Sequence, residues 1–271
     1  MITQHRPKIS IITSTYNCKQ SLTKTANSIR EQSYTNIEWI IVDGASEDGT
    51  VDIIRENVDI TAYWISERDN GIYDAWNKAC KYITGDWVIF MGAGDCFCHA
   101  HSLEEMSSKL SDMTESIGIV YGNVYQKNKK NIIQFSYKNV DLNTLAMGRP
   151  TLPCHQGVFQ RSSFFKSTNP FDSSYRIAAD SKFLLQSLKQ TNIHYIDLDI
   201  CDMEMGGIGA SAKSILKLMN ELNKLGHENL YSLPIQNKIK FTLTCYAKYL
   251  LYSVAGEQFV EWIARIKRRI N

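Results

Sequence analysis

Four short apolar runs rich in β-branched residues punctuate the first third of the chain: KISIIT, IEWIIVD, TAYWIS and DWVIFM. Each is too short for an independent helix and almost continuously hydrophobic, the pattern of a strand covered on both faces, so all four are predicted as buried strands. Between them Leu22, Ala26 and Ile29 recur at helical spacing, as do Ile72, Trp76, Ala79 and Ile83. The resulting β-α-β-α-β-α-β order predicts parallel strands joined by right-handed crossovers. From Pro234 onward the pattern changes, and IQNKIKFTLTCYAKYLLYSVAGEQFVEWIARIKRRIN reads as two helices separated near Gly256. In the second of these, Phe259, Trp262, Ile263, Ile266 and Ile270 share one face, while Arg265, Lys267, Arg268 and Arg269 crowd the other side and the end.

Ligands of parallel sheets sit beyond the carboxyl ends of the strands. The segments at those ends are TSTYN, DGASEDGT, ERDNG and GAGD, all small, polar or acidic. Ser46, Asp48 and Asn70 in them equally suit helix caps, but four such loops at one edge point to a ligand site. The phosphate-cradling glycine motifs are absent: no GxGxxG follows the first strand and no GxxxxGK[ST] occurs anywhere. Carboxylates at this edge would repel a diphosphate unless a divalent cation lay between. Asp95, next to Gly92 and Gly94, fits that need, because the glycines let the backbone turn sharply while the carboxylate meets an oxygen-seeking ion. An N-cap role for Asp95 is the alternative, but it stands too early for the helix near His101 to Leu110, which Ser102 would cap better.

Composition narrows the partners. A hydrophobic fraction of 44%, a charged fraction of 21% and a net charge of +2 (pI about 8.1) belong to an ordinary globular protein and do not indicate nucleic acid. No apolar run approaches the ~20 residues needed to span a bilayer, and the N-terminus runs directly into a strand without a signal-peptide pattern, so a cytoplasmic location is expected. The seven cysteines lack a framework spacing and are expected as reduced thiols. Cys96 and Cys98 have no second Cys/His pair at finger spacing, which argues against a metal role for them.

SIITSTYN, IEWIIVDGASEDGT, ISERDNGIYDAWNKACKYITGDWVIFMGAGD and the later LPCHQGVFQR together resemble the family 2 glycosyltransferases of bacterial surface polysaccharide assembly, the O-antigen, capsule and exopolysaccharide enzymes. The resemblance implies an α/β GT-A fold with a mostly parallel sheet and a UDP-sugar donor. It implies that Ser14, Thr15, Tyr16 and Asp43 hold the uracil, and that Asp69, Gly71, Asp74 and Asn77 face the ribose and sugar. Gly94 and Asp95 would lie at the diphosphate, with Asp95 carrying Mg²⁺ or Mn²⁺. The family's metal signature usually has two or three acids; here Gly92 and Gly94 stand at the other places, and Gly44 replaces a second acid after Asp43. Inverting transfer needs a base for the acceptor hydroxyl. The resemblance assigns it to Asp180, which precedes the stripe Phe183, Leu184 and Leu188 and could also serve as an N-cap. His155 and Gln156 are implied at the acceptor, with His155 as the substitute base.

The expected layout is a catalytic domain over about 1–230, its donor half about 1–115 and acceptor half about 116–230, followed by a helical appendage over 231–271. CDMEMGGIGASAKS resembles a lid over the donor and would equally suit a passive linker. The basic terminal helix suits either an anionic membrane surface or packing with a solvated polar face; a lipid-linked saccharide as acceptor favours the first. Two rivals stay open: a nucleotidyltransferase activating a sugar phosphate, which would need the missing Gly-rich basic loop, and a non-catalytic glycan-binding module, suggested by the thinned acidic motif.

Overall fold

A computed structural model of the chain describes residues 6–127, 133–135, 145–146, 149–204, 212–232 and 234–270, without side chains at 127, 133–150, 204, 212–213 and beyond 254. The first third alternates as expected: β1 (Ile9–Thr15), α1 (Lys19–Arg30), β2 (Ile37–Asp43), α2 (Thr50–Glu56), β3 (Thr61–Ser66), α3 (Ile72–Cys80) and β4 (Trp87–Phe90). β1 pairs in parallel with β2 and β4, and β2 in parallel with β3. The almost continuous burial of β1 and β2, and the complete burial of β4, follow from cover on both faces. β3 departs from expectation: it is half-buried, because it forms the outer edge of the sheet and has a neighbour on one side alone. α3 ends at Cys80, so Ile83 lies in the turn leading to β4 rather than on the helix.

The continuation holds β5 (Cys96–Phe97), α4 (Ser102–Ser111), β6 (Ile117–Lys127), β7 (Ile133–Phe135), the short pair β8 (Leu145–Ala146) and β9 (Arg149–Pro150), then β10 (Val158–Arg161), α5 (Ala179–Ser187) and β11 (Asn192–Glu204). The large sheet runs β3-β2-β1-β4-β10-β6-β11-β5, with β7 attached to β6. β10 enters antiparallel between β4 and β6, while β6 and β11 pair in parallel. One hydrophobic cluster joins Ile9, Trp39, Trp87 and Leu103 to Val120, Phe159 and Ile200, so both halves of the sheet share a core. Tyr73, Trp76, Phe90, Phe165, Phe171 and Phe183 form an aromatic layer linking α3, β4 and α5.

The chain divides into two compact units, Met1–Val140 with Leu152–Met205, and Asp141–Thr151 with Gly206–Asn271. The second contains β8, β9, α6 (Ala212–His227) and α7 (Ile235–Ile270). α6, expected with the catalytic part, packs with α7, where Leu218, Leu222 and Leu225 on one helix and Phe241 and Cys245 on the other are buried. α7 is a single helix, not two broken near Gly256. A lone glycine costs a helix only ~1 kcal/mol relative to alanine, too little to interrupt one that is otherwise supported. Half of the candidate lid, residues 205–211, lies outside the described residues, and the side chains of the terminal basic face lie outside them as well.

Candidate active site

Asp43, the last residue of β2, is fully buried. Its Oδ1 accepts hydrogen bonds from the Thr15 hydroxyl (2.7 Å) and the Ser46 hydroxyl (2.6 Å). Its Oδ2 accepts from the Ser66 hydroxyl (2.7 Å) and the Ser46 N–H (2.9 Å). A carboxylate offers about four lone-pair positions, and protein donors fill them. Asp43, implied at the uracil, thereby ties the ends of β1, β2 and β3 into one rigid edge. Above that edge Tyr16 is 67% exposed, presenting an aromatic face to solvent.

Two of the three positions that lack expected acids, Gly44 and Gly92, are filled in a way the sequence does not show. A Cβ built on Gly44 would lie 2.7 Å from Asp69 Oδ2 and 3.2 Å from the Tyr16 ring. A Cβ on Gly92 would lie 2.9 Å from Asp95 Oδ2. Each glycine thus makes room for a carboxylate arriving from another position. Asp95 is buried, and its Oδ2 accepts the Gly92 N–H (2.8 Å), closing the turn in which Gly94 adopts φ 104°. A conformation of that kind favours glycine. Thr25 of α1 braces the turn: its hydroxyl accepts the Gly94 N–H (2.9 Å) and donates to the Asp95 carbonyl (2.8 Å). Sequence periodicity missed Thr25, which stands beside the Leu22–Ala26–Ile29 stripe and is itself buried.

The start of α3 is organised by its own acids. Asp69 Oδ1 accepts the Gly71 N–H (2.8 Å) and Asp74 Oδ2 accepts the Asn70 N–H (2.9 Å). Gly71 is the N-cap, lying close to Arg176, whose guanidinium donates to the Asn70 carbonyl. Asn77 is the residue of this helix implied at the donor whose side chain turns inward. It is buried, and its amide exchanges two hydrogen bonds with the backbone of Phe171, at 2.8 and 2.9 Å. That pairing fixes α3 to the segment before α5.

α3 also carries two contacts that periodicity and motif could not reveal. Trp76 donates from Nε1 to the Ser14 hydroxyl (3.2 Å) at the end of β1, and Tyr73 donates from its hydroxyl to Asp180 Oδ1 (3.2 Å). Asp180 is half-buried in the first turn of α5, where Ala178 is the N-cap. His155 is buried and stacks on Trp76 with ring centroids 5.2 Å apart at 12°. Neither of its ring nitrogens has a hydrogen-bond partner among the described residues. Burial pushes its pKa below the ordinary value and the Asp180 carboxylate pulls the other way, leaving a neutral imidazole at pH 7. Gln156, half-buried beside it, accepts from the Cys154 thiol (3.1 Å). All seven cysteines are free thiols, and among the described residues no group of three His, Cys, Asp or Glu side chains is placed to hold a metal ion.

Comparison with known proteins places this geometry. Residues 10–168 match the family model described as Glycosyl transferase family 2. The chain is 30% identical over 233 residues to a PGL/p-HBAD biosynthesis glycosyltransferase of Mycobacterium bovis, covering 81% of this chain and 87% of that protein. It is 26% identical over 222 residues to WfaP of Escherichia coli, a UDP-Glc:alpha-D-GlcNAc-diphosphoundecaprenol beta-1,3-glucosyltransferase, covering 80% and 86% of the two chains. Among solved structures, TarS 1-349 of S. aureus in complex with UDP-GlcNAc superposes with a TM-score of 0.63 at 18% identity, covering 91% of this chain and 73% of that one. Against the longer TarS chain the match spans 44% of its length. A mannosyltransferase from Pyrobaculum calidifontis, in complex with GDP-Man and Mn2+, gives a TM-score of 0.64 at 16% identity, covering 98% of this chain and 81% of that one. The fold is GT-A, and by the match over residues 10–168 and the likeness along four-fifths of its length, the chain belongs to glycosyl transferase family 2 and is a glycosyltransferase.

Proposed function

We propose that the protein is an inverting transferase that moves a hexose or N-acetylhexosamine from a UDP-sugar to a hydroxyl of a lipid-linked saccharide in surface polysaccharide assembly, of the O-antigen or lipopolysaccharide kind. The observation that carries this reading is the double attachment of α3. Through Trp76 it holds Ser14 at the donor edge, and through Tyr73 it holds the carboxylate of Asp180. One helix therefore fixes the spacing between the nucleotide edge and the proposed base, which is the positioning that a bimolecular displacement needs.

Ser14, Thr15 and Tyr16 with Asp69 and Gly71 form the donor edge in this reading, and Asp43 acts by holding the loops. The Asp180 carboxylate takes the proton of the acceptor hydroxyl. The acceptor oxygen then bonds to the anomeric carbon while the bond to UDP breaks on the opposite face, and UDP leaves with the electron pair. Neutral His155, beneath Trp76 and next to Asp180, keeps the base side dry, and with Gln156 it orients the acceptor.

A divalent ion fits the residues present in one way. Asp95 offers a single carboxylate whose Oδ2 is already steadied by the Gly92 N–H, a donor set suited to Mg²⁺ or Mn²⁺ drawing its remaining ligands from diphosphate and water. Bound there, the ion would neutralise the charge of the departing diphosphate. UDP-Glc in the name of WfaP and UDP-GlcNAc in the TarS complex support the donor class, and WfaP supports a lipid-linked acceptor. Among the described residues no helix is long and apolar enough to cross a membrane. The reading puts the enzyme at the cytoplasmic face as a peripheral protein, and the basic residues near its end suit an anionic surface.

Incubation with a panel of UDP-sugars, with GDP-mannose as the contrasting nucleotide, tests the donor by release of free UDP. Release from at least one UDP-sugar, lost in Asp95→Ala and in excess EDTA, is expected. Turnover of GDP-mannose alone, or full activity in EDTA, overturns the donor or the metal assignment respectively.

A further inference from the structure

The second compact unit carries the largest run of exposed apolar side chains among the described residues. On α7, Ile235 (69% exposed), Ile239 (54%), Leu243 (64%), Tyr246 (49%), Leu250 (59%) and Val254 (87%) follow one another at steps of three or four residues. At 100° per residue they occupy an arc of roughly 100°, one continuous stripe about 28 Å long. Phe241 and Cys245, the buried side of the same helix, lie well round from it and accompany α6. α7 therefore has two apolar faces, one packed within the unit and one open. A lone exposed leucine needs no explanation, but a contiguous stripe of this extent marks a surface that meets something apolar.

Charge decides what that is. Residues 235–256 contain Lys238, Lys240 and Lys248 and no Asp or Glu. Lys238 and Lys240 fall roughly 40–60° beyond the two borders of the stripe, where long cationic side chains can lay their stems along an apolar surface and raise their heads to a polar layer. A cavity of about 320 Å³ adjoins the first turn of the helix; Lys238, His227, Asn223 and Asn229 line it, and its lining contains no carboxylate. Two copies of this helix stacked face to face would bring lysines together with no opposite charge to meet them. An anionic lipid surface meets both features at once.

We propose that α7 seats in the surface of an anionic bilayer by the face Ile235–Ile239–Leu243–Tyr246–Leu250–Val254, lying in the interface plane with Lys238 and Lys240 on the lipid phosphates. This differs from the sequence expectation, which looked to the basic residues beyond Glu257. The proposal rests on the functional reading above only for the expectation that the acceptor is membrane-borne; the face itself is independent of any sugar chemistry. Helices of this kind bind by buried apolar area together with attraction to anionic lipid.

The test is co-sedimentation of the full chain with vesicles of phosphatidylglycerol and phosphatidylcholine in equal parts, and with vesicles of phosphatidylcholine alone, in the absence of any nucleotide sugar. Binding to the anionic vesicles at least about tenfold tighter than to the neutral ones is expected from two or more lysines near the surface. The double variant Leu243→Ser/Leu250→Ser should weaken anionic-vesicle binding by more than about tenfold, since each leucine contributes apolar burial. Both side chains are exposed, so the thermal transition should be unchanged. A second variant, Lys238→Glu/Lys240→Glu, leaves the stripe intact and should abolish the preference for anionic lipid. Wild-type-like binding by both variants overturns the proposal, as does a concentration-dependent dimer that the leucine variant dissolves without any vesicle binding by the wild type. A wild type that binds vesicles and releases no UDP from any donor would sink the functional reading and leave this one standing.

Discussion

Glu38 and Asp43 stand at opposite ends of β2, both buried, and their surroundings divide the sheet into two kinds of edge. At the amino end, Glu38 pairs with Lys8 Nζ (2.7 Å) and accepts from the Ser10 hydroxyl (2.5 Å), the Thr84 hydroxyl (2.5 Å) and the N–H groups of Thr84 (2.6 Å) and Gly85 (3.0 Å). Burial alone would raise its pKa, but Lys8 and these hydrogen bonds bring it from 4.5 down to about 2. At the carboxyl end the four donors of Asp43 are uncharged, and the same edge carries further carboxylates, Asp69 and Asp95. The amino edge neutralises its charge internally and closes. The carboxyl edge meets its negative groups with neutral donors in these contacts, the arrangement of a surface waiting for a charged ligand. Stability and chemistry should therefore separate along this one strand.

The sharpest test of that separation lies at the carboxyl side. Asp180→Asn keeps the size of the side chain and removes the base, so kcat should fall by roughly 10²- to 10⁴-fold with an unchanged melting temperature and unchanged UDP binding. Normal turnover would move the base elsewhere, with His155→Ala as the next variant.

The amino edge should answer in the opposite way. Glu38→Gln removes a buried carboxylate from its pairing with the part-exposed Lys8 and turns an amide NH₂ toward donors, which should cost about 3 kcal/mol of unfolding free energy while the folded fraction keeps its kcat. The pH dependence has a definite sign. Because the folded pKa of Glu38 is depressed, its contribution is fully present above the unfolded value of 4.5 and is lost as pH falls toward about 2. Denaturant titrations of wild type and variant should thus differ at pH 7 and converge in strong acid. A gap that stays constant over that range would show that packing, not charge, makes Glu38 important.

Asp43→Asn lies between these cases. It replaces one saturated oxygen by a donor, so it should cost roughly 1–2 kcal/mol of stability and also raise KM for the donor several-fold through loosened loops. A stability loss with no change in KM would remove Asp43 from the functional edge. The smallest effect is expected at Gly44→Ala, whose new methyl meets Asp69 Oδ2 at 2.7 Å. That carboxylate can shift, so a change of a few-fold in donor KM at unaltered stability is the expected result, and none at all would show that the place of Asp69 is unimportant.

The alternation of β1 to β4 with α1 to α3 was legible because burial on two faces leaves near-continuous apolar strands and one-sided burial leaves a helical stripe. The edge position of β3 was not, since an edge strand with a covered face can be as apolar as a central one. Asp95 stood out in the sequence by its two neighbouring glycines, and Asp180 by the family resemblance alone, since a helix cap would have accounted for it equally well. The meaning of Gly44 and Gly92 was hidden, because it depends on Asp69 approaching Gly44 across two loops. Counted along the chain, acids are missing; in space, carboxylates fill the room a side chain would take. The inward pairing of Asn77 was hidden for a related reason, as its partner Phe171 is far off in sequence. Glu38 passed as one polar residue in an apolar strand, and only the neighbouring β1 and the turn before β4 reveal its partners.

The late arrival of β10 between β4 and β6 also bears on how the chain can be cut. The donor half, residues 1–115, looks separable, but its core cluster is completed by Val120, Val124, Phe159 and Ile200, and the far side of β4 is paired by β10. A fragment ending after α4 would present the bare edge of β4 with its apolar faces uncovered, a template for joining strands from other copies. Such a fragment should aggregate rather than bind nucleotide, and the two halves of the sheet should melt in one cooperative step.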